Sequence, residues 1–276
     1  MTMTVHDPRK PLAAPKGDLN KTPVLDCKAL GIDFGGLVAV DDFNFTVAPT
    51  EIAGLIGPNG AGKTTVFNLL TKVYRPTRGE FLLNGKSTKG MNTVRINKAG
   101  VARTFQNIRL FKEMTVLENV LVGLHNDMHY SLAEGIFQLP RFWRSERMAR
   151  ERALDLLSIF NMQDTADIIS GSLPYGSQRR LEIIRALATN PIILLLDEPA
   201  AGMNPSETGE LMENIKKIRD TFQIAILLIE HDMHLVMGIC EGIAVLNYGR
   251  IIAKGTPEQI QNDPQVIEAY LGKGRG

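Results

Sequence analysis

A glycine-rich loop followed by lysine and threonine is the clearest chemical motif in the sequence. Its residues are Gly57, Pro58, Asn59, Gly60, Ala61, Gly62, Lys63, Thr64 and Thr65. The loop lies between a short apolar strand pattern and a helical pattern, so its backbone N–H groups and the positive end of the helix can converge on phosphate oxygens. In this pattern the lysine reaches the outer phosphates and the first threonine ligates Mg²⁺. We therefore predict a nucleotide site here, with Lys63 and Thr64 in those roles.

Two adjacent acids follow a second apolar strand pattern. Asp197 and Glu198 come directly after the apolar run 192–196. A carboxylate at the end of a buried strand is suited to hold Mg²⁺, which predicts that Asp197 lies on the metal side. Glu198 points elsewhere and is placed to act as the general base for an attacking water. A surface acid at a strand end would be the simpler explanation of Glu198 alone, but the phosphate loop favours hydrolysis.

The elements that must position these residues alternate between strands and helices. Apolar strands between helical patterns predict an α/β fold, with a parallel sheet covered on both faces. Helical spacing replaces strand spacing in the middle of the chain, which predicts an inserted helical subdomain at about 107–190. The predicted strands cover 24–33, 37–47, 51–56, 78–84, 192–196, 224–229, 242–246 and 250–253, and the predicted helices cover 63–72, 145–160, 206–221 and 233–240.

Two helices carry more specific expectations. In the helix 145–160, one apolar face is predicted from the spacing of Ala149, Ala153, Leu156 and Phe160. The helix 206–221 is predicted to start with Ser206 as its N-cap, after Pro205.

Composition excludes several functional classes. The chain carries 31 basic and 30 acidic residues, a formal net charge of +1, which argues against a nucleic-acid-binding surface. No apolar run approaches the roughly 20 residues that cross a bilayer. Residues 1–21 are polar and lack the apolar centre of a secretory signal, so we expect a flexible tail and a cytoplasmic protein whose membrane role comes through partners. Cys27 and Cys240 are expected to be free thiols.

Taken with these motifs, the chain resembles the nucleotide-binding subunits of ABC transporters from about Val24 to the C-terminus. The resemblance implies a P-loop NTPase domain with an antiparallel β subdomain, and hydrolysis of ATP to ADP and phosphate with Mg²⁺. It implies that Gln106, in Thr104-Phe105-Gln106-Asn107, contacts Mg²⁺ and water and couples to membrane subunits. It also implies that His231 contacts the γ-phosphate and that Phe34 stacks on adenine, although a phenylalanine in the core would look identical in the sequence.

The signature motif of that family has a counterpart here, with substitutions. In place of Leu-Ser-Gly-Gly-Gln the chain has Leu173, Pro174, Tyr175, Gly176, Ser177 and Gln178. Pro174 replaces the serine whose hydroxyl contacts the γ-phosphate in the family. The resemblance implies that this segment acts on the ATP held by a partner subunit. The loop 201–204 also departs from the family's usual sequence at the contact between subunits.

These departures narrow the resemblance to the ATP-binding subunits of branched-chain amino-acid importers. A long helical insertion between about His125 and Arg152 and a C-terminal extension at about 255–276 are similar to that group. The implied partners are a second, different ATP-binding subunit, two membrane permeases and an extracytoplasmic binding protein, with no nucleic acid. The implied location is the cytoplasmic face of the inner membrane.

Two alternative functions remain open at this point. A lipid or lipopolysaccharide exporter has an ATPase with much of the same core. A soluble ABC ATPase acting on ribosomes or DNA is the other, but such proteins usually fuse two nucleotide domains or carry long coiled coils. The long insertion and the Pro174-Tyr175 signature favour the importer.

Overall fold

Two β-sheets and a set of surrounding helices make up the part of the chain that this computed structural model describes, residues 22–125 and 140–271. The strands are β1 (Leu25–Phe34), β2 (Leu37–Val47), β3 (Ile52–Ile56), β4 (Arg78–Leu83), β5 (Lys86–Ser87), β6 (Val101–Arg103), β7 (Ile193–Asp197), β8 (Ala225–Ile229), β9 (Gly242–Asn247) and β10 (Arg250–Gly255). The helices are α1 (Lys63–Leu70), α2 (Thr93–Lys98), α3 (Val116–Leu124), α4 (Pro140–Ser158), α5 (Tyr175–Leu187), α6 (Pro205–Phe222), α7 (Met233–Ile239), α8 (Pro257–Gln261) and α9 (Pro264–Leu271). The predicted tail, 1–21, lies outside the described residues.

The larger sheet aligns the ends of its parallel strands. Its order is β10-β9-β3-β8-β7-β6, and every neighbouring pair is parallel except β9 with β10. All five residues in each of β3, β7 and β8 are buried, as expected for strands covered on both faces. Leu55 pairs with Ile229, and Ile229 pairs with Asp197. The predicted parallel sheet is therefore confirmed, and the chain leaves three adjacent strands at one level.

The smaller sheet is antiparallel, in the order β2-β1-β4-β5. Its β1 and β2 strands correspond to the predicted strands 24–33 and 37–47, so those predictions are confirmed. A turn at Asn84-Gly85 joins β4 to β5, and both residues have positive φ, 46° and 74°. This sheet carries Phe34 at the end of β1.

The predicted helix 145–160 corresponds to α4, which ends at Ser158. Ala149, Ala153 and Leu156 of α4 are buried as predicted, and Phe160 is buried in the turn that follows the helix. These side chains belong to one apolar cluster that also contains residues of β3, β7 and β8. The division into a helical subdomain at 107–190 stays a prediction.

The start of α6 differs from the prediction. Its N-cap is Asn204 rather than Ser206, and Pro205 is the first helical residue. The Asn204 side chain accepts a hydrogen bond from Glu207 N at 3.0 Å, and the Glu207 carboxylate accepts one from Asn204 N at 2.9 Å. This reciprocal capping box uses a proline at its favoured position, so the helix begins two residues earlier than the serine indicated.

Several elements were missed in the sequence. They are the short strands β5 and β6 and the helices α2, α8 and α9, while α3 and α5 were predicted only as parts of a helical region. Each missed element is too short to display a clear period, and β6 is defined mainly by its parallel pairing with β7.

Both cysteines are free, as predicted, and both are buried, which raises the pKa of each thiol. Of the described helices, none combines the length and apolar composition that crossing a bilayer requires.

Close packing of α3 on α5 depends on Gly123. A Cβ added there would lie 2.6 Å from Arg185 O and 2.7 Å from the Ala188 Cβ. We expect Gly123→Ala to lower the free energy of unfolding by about 1–3 kcal/mol, because overpacking exceeds the gain in helix propensity. Urea denaturation of both proteins measures this difference.

Gly209 in α6 is the matched control, because a Cβ there would meet nothing within 4 Å. We expect Gly209→Ala to raise the free energy of unfolding by up to about 1 kcal/mol through helix propensity alone. Equal stabilisation by both alanines would show that the α3–α5 contact is not tight.

Candidate nucleotide site

The glycine-rich loop has the strand–loop–helix context that its sequence predicted. It leaves β3 at Ile56 and enters α1 at Lys63, with Gly62 as the helix N-cap. Gly57 and Gly62 have φ values of 151° and 104°. A Cβ on Gly57 would lie 2.0 Å from Leu246 O, and one on Gly62 would lie 2.8 Å from Ala39 O. Backbone conformation and close packing therefore both require glycine at these two positions.

Lys63 bonds to the carbonyls of its own loop. Its ammonium group donates to Gly57 O at 2.6 Å and to Pro58 O at 3.0 Å. Burial lowers the pKa of Lys63 below its ordinary value, and the nearby carboxylates of Glu198 and Asp197 oppose that shift. Thr64 is exposed on the same turn. The loop thus presents a cation and an open hydroxyl at the start of a helix, where an anion is favoured.

Glu198 is the centre of the polar cluster. Its carboxylate accepts a hydrogen bond from Gln106 Nε2 at 2.9 Å, and its other oxygen lies 3.0 Å from His231 Nε2. Its backbone has a φ of 47°, and its N–H donates to Ile229 O at 2.8 Å. The turn after β7 is therefore fixed to the end of β8, and it holds the carboxylate partly exposed between two predicted site residues.

Asp197 ends β7 and is buried against a side chain that sequence reasoning missed. Arg103 Nη2 lies 2.7 Å from Asp197 Oδ2, and both side chains are about 5% exposed or less. Arg103 also donates to Asn68 Oδ1 at 2.7 Å, which ties the end of β6 to α1. In the sequence, Arg103 could have been recognised only as a basic residue three positions before Gln106. The pair fixes one carboxylate oxygen of Asp197 beside the phosphate loop.

Glu230 is a second residue that sequence reasoning missed. It is buried, and its two carboxylate oxygens accept hydrogen bonds from Ala200 N at 2.8 Å and His231 N at 2.8 Å. It therefore connects the loop after β7 to the loop that carries His231. The signal was an acid directly before the histidine at the end of an apolar strand.

Phe34 lies on the surface, so the alternative that it is a core residue is wrong. Its ring is 5.2 Å from that of Tyr74 in an edge-to-face pair at 73°. The two residues are 42% and 37% exposed. Tyr74 was not predicted as a site residue, and no local pattern indicates that it meets Phe34. The pair is an exposed aromatic surface on which a base can stack.

The signature segment, 173–178, lies at the start of α5. Leu173 is buried and Tyr175 is 48% exposed. The Tyr175 ring lies against Gly202, since a Cβ on that glycine would be 3.2 Å from Tyr175 Cε1. The altered signature and the altered loop 201–204 therefore pack on each other. The structure brings together Lys63, Gln106, Asp197, Glu198 and His231, while Phe34 lies at the end of β1 in the smaller sheet and the segment 173–178 lies at the start of α5.

Comparison with known proteins assigns the family. The profile described as ABC transporter matches residues 40–201. A second profile, described as branched-chain amino acid ATP-binding cassette transporter, matches residues 250–275.

Relatives of the chain are similar over nearly their whole length. The high-affinity branched-chain amino acid transport ATP-binding protein BraF of Pseudomonas aeruginosa is 50% identical over 251 residues, covering 91% of this chain and 98% of that protein. The protein of the same description from Escherichia coli strain K12, LivG, is 51% identical with the same coverage. The crystal structure of MJ1267 in its ADP conformation, an ATP-binding cassette of an ABC transporter, has a TM-score of 0.79 and 30% identity, covering 91% of this chain and 99% of that one.

One family accounts for both the site and the similarity. Its members are expected to have the strand–loop–helix phosphate loop and the acidic end of β7 that this chain shows. The chain belongs to the ABC transporters, as one of the ATP-binding subunits that hydrolyse ATP to power transport.

Proposed function

We propose that this chain hydrolyses ATP at the Glu198 cluster to power import of branched-chain amino acids. The observation that carries the hydrolytic role is the Glu198 carboxylate, held between Gln106 at 2.9 Å and His231 at 3.0 Å beside the phosphate loop. The substrate class is supported by the 50% and 51% identity to BraF and LivG and by the matching C-terminal profile. The exporter and the soluble ATPase have no comparable support.

In the proposed mechanism, the loop 57–65 binds the phosphates of ATP through its backbone N–H groups. When ATP binds, the Lys63 ammonium donates to phosphate oxygens in place of the loop carbonyls. The negative phosphates stabilise the charged form of the lysine, which burial disfavours. Glu198 takes a proton from the attacking water, and Gln106 orients that water. His231 donates to the transferred phosphoryl group. Positioning and electrostatic stabilisation supply most of the rate, as is usual for phosphoryl transfer.

Oxygen ligands at the site fit Mg²⁺, which prefers carboxylates, hydroxyls and phosphates. The hydroxyl of exposed Thr64 and the carboxylate of Asp197 are the protein ligands that we propose, with Gln106 at the edge of the metal shell. In the described ranges, no three His, Cys, Asp or Glu side chains are grouped as a metal site. This donor set therefore fits a metal that is held largely by substrate phosphates. When bound, Mg²⁺ would neutralise charge on the β- and γ-phosphates.

The partners follow from the same proposal. A second, different ATP-binding subunit closes over the nucleotide, and the signature segment 173–178 of this chain completes that partner's site. Two permeases and an extracytoplasmic binding protein complete the importer, which places the chain at the cytoplasmic face of the inner membrane. The tail 1–21, the helical subdomain 107–190 and the extension 255–276 are part of this proposed organisation.

We expect Glu198→Gln to lower kcat for ATP hydrolysis by roughly 10²–10⁴-fold, because the amide cannot accept the proton from water. The amide is the same size as the carboxylate, so the Kd for ATP should change less than about threefold. Phosphate release and equilibrium nucleotide binding measure the two quantities.

Glu213→Gln is the matched control, since Glu213 is exposed on α6 and pairs only with nearby Lys216 at 3.3 Å among its described ion-pair contacts. We expect it to hydrolyse ATP at the unaltered rate. A Glu198→Gln protein as active as this control would contradict the general-base role.

We expect Phe34→Ala and Tyr74→Ala each to weaken ATP binding, because both rings contribute to the exposed aromatic surface. Loss of base stacking is worth about 1–3 kcal/mol, or roughly 5- to 150-fold in Kd. Phe34→Trp, which keeps an aromatic face, should bind ATP nearly as well as the unaltered chain. Calorimetric titration with ATP measures these affinities.

Inorganic tripolyphosphate is the control ligand for the same variants, because it has phosphates but no base. Its affinity should not change in either alanine variant. Equal loss of affinity for ATP and tripolyphosphate would mean that the aromatic pair supports the loop rather than the base.

The transport role is tested by purifying the tagged chain from native membranes in detergent and identifying its partners by mass spectrometry. We expect two permeases and a second ATP-binding subunit. Reconstituted with the binding protein in liposomes, this complex should take up radiolabelled leucine with ATP, and the Glu198→Gln complex should not. Recovery of lipopolysaccharide-export, ribosomal or DNA-repair proteins in place of permeases would overturn the importer proposal while leaving ATP hydrolysis in place.

A further inference from the structure

A fully buried arginine connects the signature helix to the Glu198 cluster. Arg179 lies near the start of α5, just after the signature segment 173–178, and its side chain is 0% exposed. Its guanidinium donates to Gln106 O at 2.9 Å and to Glu198 O at 2.9 Å. It also donates to Phe105 O. One rigid, planar group thus bonds to the backbone on both sides of the contact between Gln106 and Glu198.

Glu182, one turn further along α5, completes a clamp on the Gln106 loop. Its carboxylate lies 3.0 Å from Arg179 Nη1, and its side chain is 2% exposed. The other carboxylate oxygen faces the N–H groups of Phe105 at 3.4 Å and Arg109 at 3.2 Å. Arg179 therefore donates to two carbonyls of the loop 105–109, and Glu182 accepts from two of its N–H groups. Backbone position in this loop is fixed from both sides by two side chains of α5.

Arg179 and Glu182 form a buried charged pair. Burying two charges costs more free energy than burying apolar side chains of similar volume, unless hydrogen bonds satisfy the charged atoms. Most of the donors of Arg179 are satisfied, although Nε is buried with no hydrogen-bond partner. Stability alone does not explain this choice. A function that needs α5, the Gln106 loop and Glu198 to move together does explain it.

We propose that Arg179 is a positioning residue that transmits movement of the signature helix to Gln106 and Glu198. The inference rests on the proposed role of Glu198 as the general base. Because α5 starts at the signature segment, any displacement of that segment would move the helix end that carries Arg179. The guanidinium then moves the Gln106 and Glu198 carbonyls as a unit, which sets the 2.9 Å contact between their side chains.

The test is steady-state ATP hydrolysis by the assembled transporter containing Arg179→Lys. An ammonium can pair with Glu182, but it cannot bond to three separate carbonyls as the planar fork does. We expect kcat to fall about 10- to 100-fold, since small misplacement of catalytic groups has effects of this size. We expect KM and the Kd for ATP to stay near the unaltered values, because no group that binds the nucleotide changes. The melting temperature should fall, because buried carbonyls lose hydrogen bonds.

Arg180→Gln is the matched control, since neighbouring Arg180 forms a more exposed pair with Glu210 at 2.7 Å. We expect it to leave kcat unchanged. Should Arg179→Lys not fold, Arg179→Gln with Glu182→Gln removes both charges together and leaves no unpaired one. The expected split between kcat and KM is the same for this double variant.

A double-mutant cycle separates positioning from simple packing. If Arg179 acts through Gln106, adding Gln106→Ala to Arg179→Lys lowers kcat little further, because both changes remove the same interaction. Independent, multiplicative losses would overturn the proposal. So would a kcat near the unaltered value in Arg179→Lys, or parallel losses of kcat, ATP affinity and melting temperature. An unaltered transporter that does not hydrolyse ATP would instead refute the proposed function itself.

Discussion

The register of three parallel strands is the constraint on which the site depends. Leu55 of β3, Ile229 of β8 and Asp197 of β7 lie in one row across the sheet. Each strand is buried on both faces, so a one-residue slip would move every side chain into the packing of the opposite face, where its size and shape do not fit. The chain therefore leaves the sheet at the same level three times. The phosphate loop, Glu198 and His231 follow that row by one or two residues, which brings a cation, a carboxylate and an imidazole together.

Close packing around this row restricts the backbone conformations that the phosphate loop and Glu198 can adopt. Gly57 touches Leu246 O of β9, and Gly62 lies against Ala39 O of β2, so the loop is pressed between both sheets. Glu198 takes a φ of 47°, a conformation that costs a non-glycine residue energy. Its N–H bond to Ile229 and its C=O bond to Arg179 compensate for that cost. The carboxylate is thus aimed by its backbone, before Gln106 or His231 contributes.

Local chemistry was readable from the sequence, and distant contacts were not. The loop 57–65 was predicted because glycine spacing and its neighbours in the chain determine its shape. Phe34 was predicted as a site residue, but its contact with Tyr74 was missed, since a pairing across forty residues leaves no local pattern. β6 was missed because three residues cannot display a period, and its pairing with β7 is what defines it. The N-cap of α6 was wrong by two residues, because Asn204 with Glu207 formed a better cap than Ser206.

Arg179 illustrates the same limit for the site itself. In the sequence it is one of two arginines after the signature segment, and nothing distinguishes it from Arg180, which is only partly buried. Its partners lie 73 or 74 residues before it, at Phe105 and Gln106, and 19 residues after it, at Glu198. Only folding of the helical region onto the sheet joins them. Because two loops meet on one guanidinium, neither can shift without breaking a buried hydrogen bond or taking the other with it. This constraint would couple a movement of α5 to the position of the Glu198 carboxylate.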